Sequence, residues 1–316
     1  MSFWDKAKSK LPFINSIIEW AKRVSLPGFN KVPIYNVVVF FFYEVKQDVL
    51  PVRAKSISFT FFLAIFPAII FLFTLIPYIP VENLQNNLIA LIQEVLPGNV
   101  FQFIDSTIQD IVKKPRGGLL SIGFLLALYI SSNGVIGMID SFDKSNETFV
   151  KRNGLTKRWI AIKLTLILFF LLFSSLVLIV IGNKVLGFVL GELNISRFYL
   201  YLFMTLKYII ILLLYFISIS TIYYYGPAVK KKWDFMSAGS TLATFLCIAI
   251  SLGFSFFVNN FGAYNKVYGS IGTIIALLMW LYLNSFSLLI GFELNAAIAY
   301  NKNLLEGEKE LFKLDS

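Results

Sequence analysis

The hydrophobic positions of this chain fall into long unbroken blocks, not into alternating or thinly spaced stripes. Six blocks reach membrane length: 56–78, 119–139, 159–181, 198–222, 236–258 and 270–299. About twenty consecutive apolar residues suffice to cross a hydrocarbon core roughly 30 Å thick. Backbone N–H and C=O groups in lipid must be satisfied within the segment, so such blocks fold as helices. A barrel would need alternating segments of about ten residues, and none stand out. The pattern predicts an all-α fold: a polytopic membrane bundle of six transmembrane helices plus interfacial amphipathic helices.

Shorter elements fit between the spans. Ile34–Tyr43 is apolar but too short to cross, and Glu44, Lys46 and Asp48 follow it, which suits an elbow helix at the interface. In 81–117, Leu84, Leu88, Leu91, Ile92 and Val95 recur at helical spacing. Pro97-Gly98 then breaks the run, and Asn99 is placed to cap a second amphipathic helix. The first 32 residues mix Lys6, Lys8, Lys10, Lys22 and Arg23 with Trp4, Phe13, Ile17 and Trp20. That mixture suits either a segment lying on an anionic membrane surface or a solvated basic tail. Organisation is therefore expected as a basic segment 1–32, a membrane domain 33–300 and a short charged cytoplasmic tail 301–316.

Composition agrees: of 316 residues, 57% are hydrophobic and 15% charged, with mean hydropathy +0.74, far from the charge content of soluble domains. A net charge of +10 would point to nucleic acid in a soluble protein. In a membrane protein it follows from the collection of Lys and Arg in cytoplasmic loops. Nine of the 28 Lys and Arg lie in 1–55, five in 140–158, and three each in 223–235 and 301–316. The opposite loops hold three in 80–117, two in 183–197 and one in 259–269. Both termini are thus expected inside the cell. No cleavable leader is read at the N-terminus, where no short apolar region with a small-residue cleavage site follows the basic start.

Chemistry is sparse. The chain has no His and one Cys, Cys247, so a disulfide is excluded and the commonest metal ligand and general base are missing. No Gly-x-Ser-x-Gly elbow and no zinc-binding His-Glu helix occurs, and no paired carboxylates share one apparent site. No enzyme, cofactor, metal or nucleic-acid partner is expected; membrane lipids are.

The last block orders the rest. It is expected to open in a short polar turn at 264–272, with Tyr268-Gly269-Ser270 at its heart, and to run on as one apolar helix. From 270 to 299 it carries a single charged side chain, Glu293. Glu293 lies about 35 Å along the helix from Ser270, near the cytoplasmic interface, and Arg53 enters the first span at the same depth. The two are candidates for a structural lock or for ion coupling, as opposed to charges that each reach water. Pro67 sits mid-span and should kink the first helix. Lys207 lies about 14 Å into the fourth span, near the bilayer midplane, where an ammonium is costly. Either it faces a polar cavity shared with Ser131, Asn133 and Asn284 and receives an anionic head group, or it snorkels outward. The notches at 131–134 and Asn284-Ser285 also suit close helix packing by small residues.

Several of these positions carry a family resemblance. Arg53-Ala54, Phe59 and Ala64-Ile65-Phe66-Pro67 in the first span, the 118–127 and 133–142 segments, Tyr225-Gly226-Pro227, Trp233, Gly239, Tyr264-Asn265, Tyr268-Gly269-Ser270, Trp280 and Gly291-Phe292-Glu293-Leu294-Asn295 resemble the YihY/BrkB family of bacterial inner-membrane proteins. Lys55-Ser56-Ile57-Ser58 departs from that family's Ala-rich entry to span one. The resemblance implies six spans with both termini inside, a multi-pass location in the bacterial plasma membrane, and links to the cell envelope. It also implies a connection with lipid-precursor transport, beside an old ribonuclease label. The expected function is a transporter or flippase-like carrier of an anionic amphipathic or lipid-related solute. The alternative is a non-transporting scaffold for envelope maintenance. Oligomeric state is open.

The charge distribution makes one prediction. After Cys247→Ser, a single cysteine at Asn87 should react with an impermeant thiol reagent from outside intact cells, and one at Ser145 only after permeabilisation. The reverse pattern of labelling would invert the topology.

Overall fold

The computed structural model describes residues 12–47, 49–75, 117–143, 148–192, 197–260 and 262–314. The amphipathic pair expected in 81–117 falls outside these residues, save Gly117. Eight helices occur among them: α1 Pro12–Arg23, α2 Ile34–Gln47, α3 Leu50–Leu75, α4 Gly117–Phe142, α5 Gly154–Glu192, α6 Arg197–Tyr225, α7 Ala238–Asn260 and α8 Gly262–Leu314. The last six each contain a stretch long and apolar enough to cross a membrane, and α2 contains the shorter apolar run Ile34–Tyr43.

Local chemistry sets several boundaries. Pro51 occupies the first turn of α3, where its missing N–H has no helical partner to lose. Asn153 accepts a hydrogen bond from the Leu155 N–H at 2.9 Å and so caps α5. At α7, Ser237 and Ser240 form a reciprocal box: the Ser240 N–H donates to Ser237 Oγ, and the Ser237 N–H donates to Ser240 Oγ, both at 3.1 Å. The C-terminal end of α6 is closed differently. The Arg152 guanidinium donates to the carbonyls of Tyr225, Gly226 and Pro227 at 3.3, 2.7 and 2.7 Å. Those carbonyls have no helical donors, and a cation there also opposes the negative end of the helix dipole.

The packing centres on α8. It lies against α7, α3 and α2; α4 packs on α3, α5 on α4, and α6 bridges α5 and α7. The buried core collects at the end of the bundle where the loops 148–153 and 226–235 meet. Phe142 stacks on Phe292 at 4.6 Å between ring centres, with Tyr223 and Trp233 set around them. Elsewhere the spans present Phe66, Leu125, Tyr208, Phe245, Leu252 and Phe256 outward, as a surface meant for hydrocarbon must. The turn at 28–31 tucks Phe29 and Val32 against Ala297 and Ile298 of α8, with Gly28, Asn30 and Lys31 all at positive φ.

One expectation changes. The segment 264–272 is not a turn: α8 starts at Gly262 and runs through Tyr268, Gly269 and Ser270 as helix. Its glycines weaken a helix by about 1 kcal/mol each in water, but at membrane depth an open backbone costs more, so the helix wins. The helix continues through the charged segment after 300, as far as Leu314. Pro67 lies inside α3, which continues through it.

The tightest contact joins α7 and α8. A Cβ added at Gly239 would meet the Gly291 carbonyl at 2.1 Å, and one at Gly291 would meet the Gly239 carbonyl and the Tyr223 hydroxyl at 2.5 Å. Both clashes involve backbone, so the helices themselves must part. Gly239→Ala or Gly291→Ala should therefore destabilise the protein by at least about 1–3 kcal/mol, read as a lowered Tm in detergent. Gly253→Ala, whose added methyl meets nothing within 4 Å, should leave Tm unchanged or raise it.

Candidate functional site

Glu293 is fully buried, and its carboxylate accepts a hydrogen bond from Arg53 Nη1 at 3.2 Å; the Arg53 side chain is 16% exposed. Arg53 also lies 5.8 Å from the centre of the Phe292 ring. The pair ties α3 to α8 across 240 residues of sequence. Two residues beyond Glu293, the Asn295 side chain accepts from the Gly239 N–H and donates to Ser237 Oγ, both at 2.8 Å, fastening α8 to the start of α7. Tyr223 donates its hydroxyl to the Leu288 carbonyl at 2.6 Å. The Gly291-Phe292-Glu293-Leu294-Asn295 run is thus a set of locks: a close approach, a stacked ring, an ion pair and a helix cap.

A second polar group forms where α4 meets α5. Arg158 donates to Asn133 Oδ1 at 2.8 Å and to Ser132 Oγ at 3.0 Å, with its guanidinium 4.4 Å from the centre of the Tyr129 ring. All of these partners are neutral. Neighbouring Lys157 is instead neutralised by Asp140 and Asp143 at 2.6 and 2.7 Å. Arg158 therefore keeps an uncompensated positive charge among the described residues.

Asn133 also belongs to a cleft of about 440 Å³ between α3 and α4, whose wall includes Arg53, Ser56, Thr60, Asp140 and Ser141. Further along the same two helices, roughly 10 Å deeper at 1.5 Å per residue, opens a groove of about 380 Å³. Its lining is almost wholly apolar: Phe61, Ile65, Leu128, Phe169, Leu172 and Trp280, relieved by Ser131 and Thr165. The cleft and the groove share no lining residue, and helical spacing sets them on different faces of α4.

The expected site residues divide. Arg53 and Glu293 meet. Asn133 joins Arg158 and the cleft, and Ser131 lines the groove. Asn284 donates to the Trp280 carbonyl at 2.9 Å, while its buried Oδ1 accepts no hydrogen bond. Lys207 is 7% exposed, so it is packed within protein, with its ammonium 4.9 Å from the centre of the Tyr208 ring. It lines neither the cleft nor the groove. Tyr268 and Gly269 lie in the first turns of α8. Arg158 and Arg152 carry roles that loop-charge counting hides. Their signal in the sequence is position: each stands within a few residues of a span end, not in mid-loop.

Six membrane-length helices with buried polar locks define a multi-pass membrane protein of the helical-bundle class. The chain belongs to the virulence factor BrkB family, whose model matches residues 41–312. It is 29% identical over 252 residues to YfkH of Bacillus subtilis, whose name contains the words ribonuclease-like protein; the match covers 80% of this chain and 91% of that one. A UPF0761 membrane protein of Tolumonas auensis is 31% identical over 81 residues, 26% of this chain and 27% of its own. One from Xanthomonas campestris is 31% identical over 84 residues, 27% of this chain and 20% of its own. No solved structure matches the chain.

The ion pair makes a quantitative prediction. Glu293→Gln leaves a buried cation and Arg53→Met a buried anion, so each should cost about 3–5 kcal/mol in unfolding from mixed micelles. The double variant should be less destabilised than the sum, by at least about 1 kcal/mol. Strict additivity would mean the two side chains are not coupled.

Proposed function

We propose that this protein carries an anionic, lipid-like amphiphile across the bacterial plasma membrane, without enzymatic chemistry. The observation that carries the reading is Arg158: a guanidinium fixed by Asn133, Ser132 and Tyr129, all neutral, and tied through Asn133 to a polar cleft between α3 and α4, while an apolar groove opens deeper on another face of α4. A head group bearing phosphate or carboxylate gains charge-assisted hydrogen bonds from Arg158. The exposed Asn133 amide adds a second donor. Acyl chains fit the groove, where burial against Phe61, Phe169 and Trp280 replaces burial against lipid. A solute with a charged head and an apolar tail suits a bundle that offers both a polar cleft and an apolar groove; a fully polar solute has no use for the second.

The ribonuclease-like wording in the name of YfkH has little support in this chain's chemistry. With no His anywhere, the usual general acid and base for phosphodiester cleavage are absent from the sequence. A scaffold without transport is the second reading, favoured by the Gly239–Gly291 contact and the Arg53–Glu293 pair, which make the α3–α7–α8 core stiff.

Reconstituted vesicles separate the two. With fluorescent phosphatidate in the inner leaflet and an impermeant quencher outside, wild-type protein should accelerate loss of signal over protein-free vesicles, and more for phosphatidate than for a zwitterionic analogue. Arg158→Met should bring the rate down at least about tenfold, and Arg158→Lys should retain part of it. Rates equal to protein-free vesicles for phosphatidate and other anionic phospholipids would overturn the carrier and leave the scaffold.

A further inference from the structure

We propose that the basic end of the bundle holds a second site, which binds a phosphate group. It is a pocket of about 280 Å³ built by four separate stretches of chain: the turn at 28–31, Thr148 of the 148–153 loop, the loop before α7 and the 295–303 face of α8. It lies apart from the Arg158 cleft, shares no lining residue with it, and does not depend on the carrier reading.

Charge sets the sign of the ligand. Lys230, Lys231, Lys232 and Lys302 stand on the wall against one carboxylate, Asp234. Lys231 reaches Glu306 at 4.0 Å, and Lys232 rests over the rings of Tyr224 and Tyr225, at 4.5 and 5.1 Å. Lys230 and Lys302 have no carboxylate partner among the described residues, so their charge is available to the pocket. Ser237, the cap of α7, is also in the wall, which brings the positive end of that helix dipole to the same space.

A further donor is already waiting. Trp233, 9% exposed and part of the pocket wall, has a buried Nε1–H that donates to nothing. A buried donor without an acceptor costs about 1–3 kcal/mol, so such groups are rare unless something outside the chain satisfies them. Two unneutralised lysines, the field of a helix whose first N–H groups are already capped, and an unpartnered indole N–H suit an anion with several acceptor oxygens and more than one charge. Phosphate meets that description. The volume is below the usual range for drug-sized ligands, which fits a phosphate group better than a nucleotide. The group arrives either on a small cytoplasmic solute or on a phospholipid head at the membrane surface.

The test uses the full chain in nanodiscs of zwitterionic lipid, titrated with inorganic phosphate and followed by calorimetry. A second arm uses nanodiscs containing phosphatidate and no free phosphate, followed by intrinsic tryptophan fluorescence. Saturable binding in either arm is expected, and the arm that saturates identifies the source. Lys230→Met with Lys302→Met should raise the Kd at least about tenfold, and Trp233→Phe, which keeps the ring and removes the N–H, about fivefold. Lys55→Met, an exposed lysine elsewhere, should leave it unchanged. Melting temperatures check folding; Lys302→Met alone serves if the double variant is unstable. No saturable binding in either arm, or an unchanged Kd in the lysine variants, would overturn the site.

Discussion

The structure hangs on one buried ion pair. Glu293 is wholly removed from solvent, and an isolated carboxylate in such a place is too costly to persist. Arg53 makes it tolerable and in doing so fixes the register of α3 against α8. The other locks on α8 depend on that register. Phe292 stacks with Phe142 of α4, Gly291 lets α7 approach to backbone contact, and Asn295 completes the hydrogen bonding at the start of α7. Within five consecutive residues, α8 makes a different kind of contact with each of three neighbouring helices. Small residues and satisfied polar groups are the means available for joining helices where lipid removes most of the hydrophobic drive.

The basic residues at this end of the bundle have unlike fates, and the difference is informative. Arg53 and Lys157 are neutralised by carboxylates, which makes them structural. Arg152 is spent on three helix-terminal carbonyls, where half-burial lowers its pKa yet leaves a guanidinium charged at any physiological pH. Arg158 is held by neutral groups alone. Lys230 and Lys302 face a pocket with too few carboxylates to match them. Positive charge left uncompensated beside a cavity is a standing attraction for anions, and the bundle offers it in two places: near the cleft between α3 and α4, and at the smaller pocket beside Lys230 and Lys302.

Much of the architecture was legible in the sequence because the bilayer imposes it. Apolar blocks longer than about twenty residues have no other stable fate than spanning helices, so the six spans and the short α2 followed from length and hydropathy alone. The meeting of Arg53 and Glu293 was legible as one option, since charges at span ends on adjacent elements have few affordable arrangements. The turn expected at Tyr268-Gly269-Ser270 failed because residue propensities measured in water carry less weight at membrane depth.

What only the tertiary structure decided is which polar groups meet. Ser131, Asn133, Asn284 and Lys207 share a depth by residue count, but depth leaves the angle about each helix axis free. A rotation of 100° per residue sends Asn133 to Arg158 and the cleft, Ser131 to the apolar groove, and Asn284 back onto its own helix at Trp280. Arg152 and Arg158 stand near span ends in the sequence, but position alone does not say what they meet. Their partners lie 73–75 and 25–26 residues away, across turns whose geometry no local pattern encodes. The sequence alone determined the helices; helix rotation and loop closure, which arise only when the spans pack, decided which polar groups share a cavity.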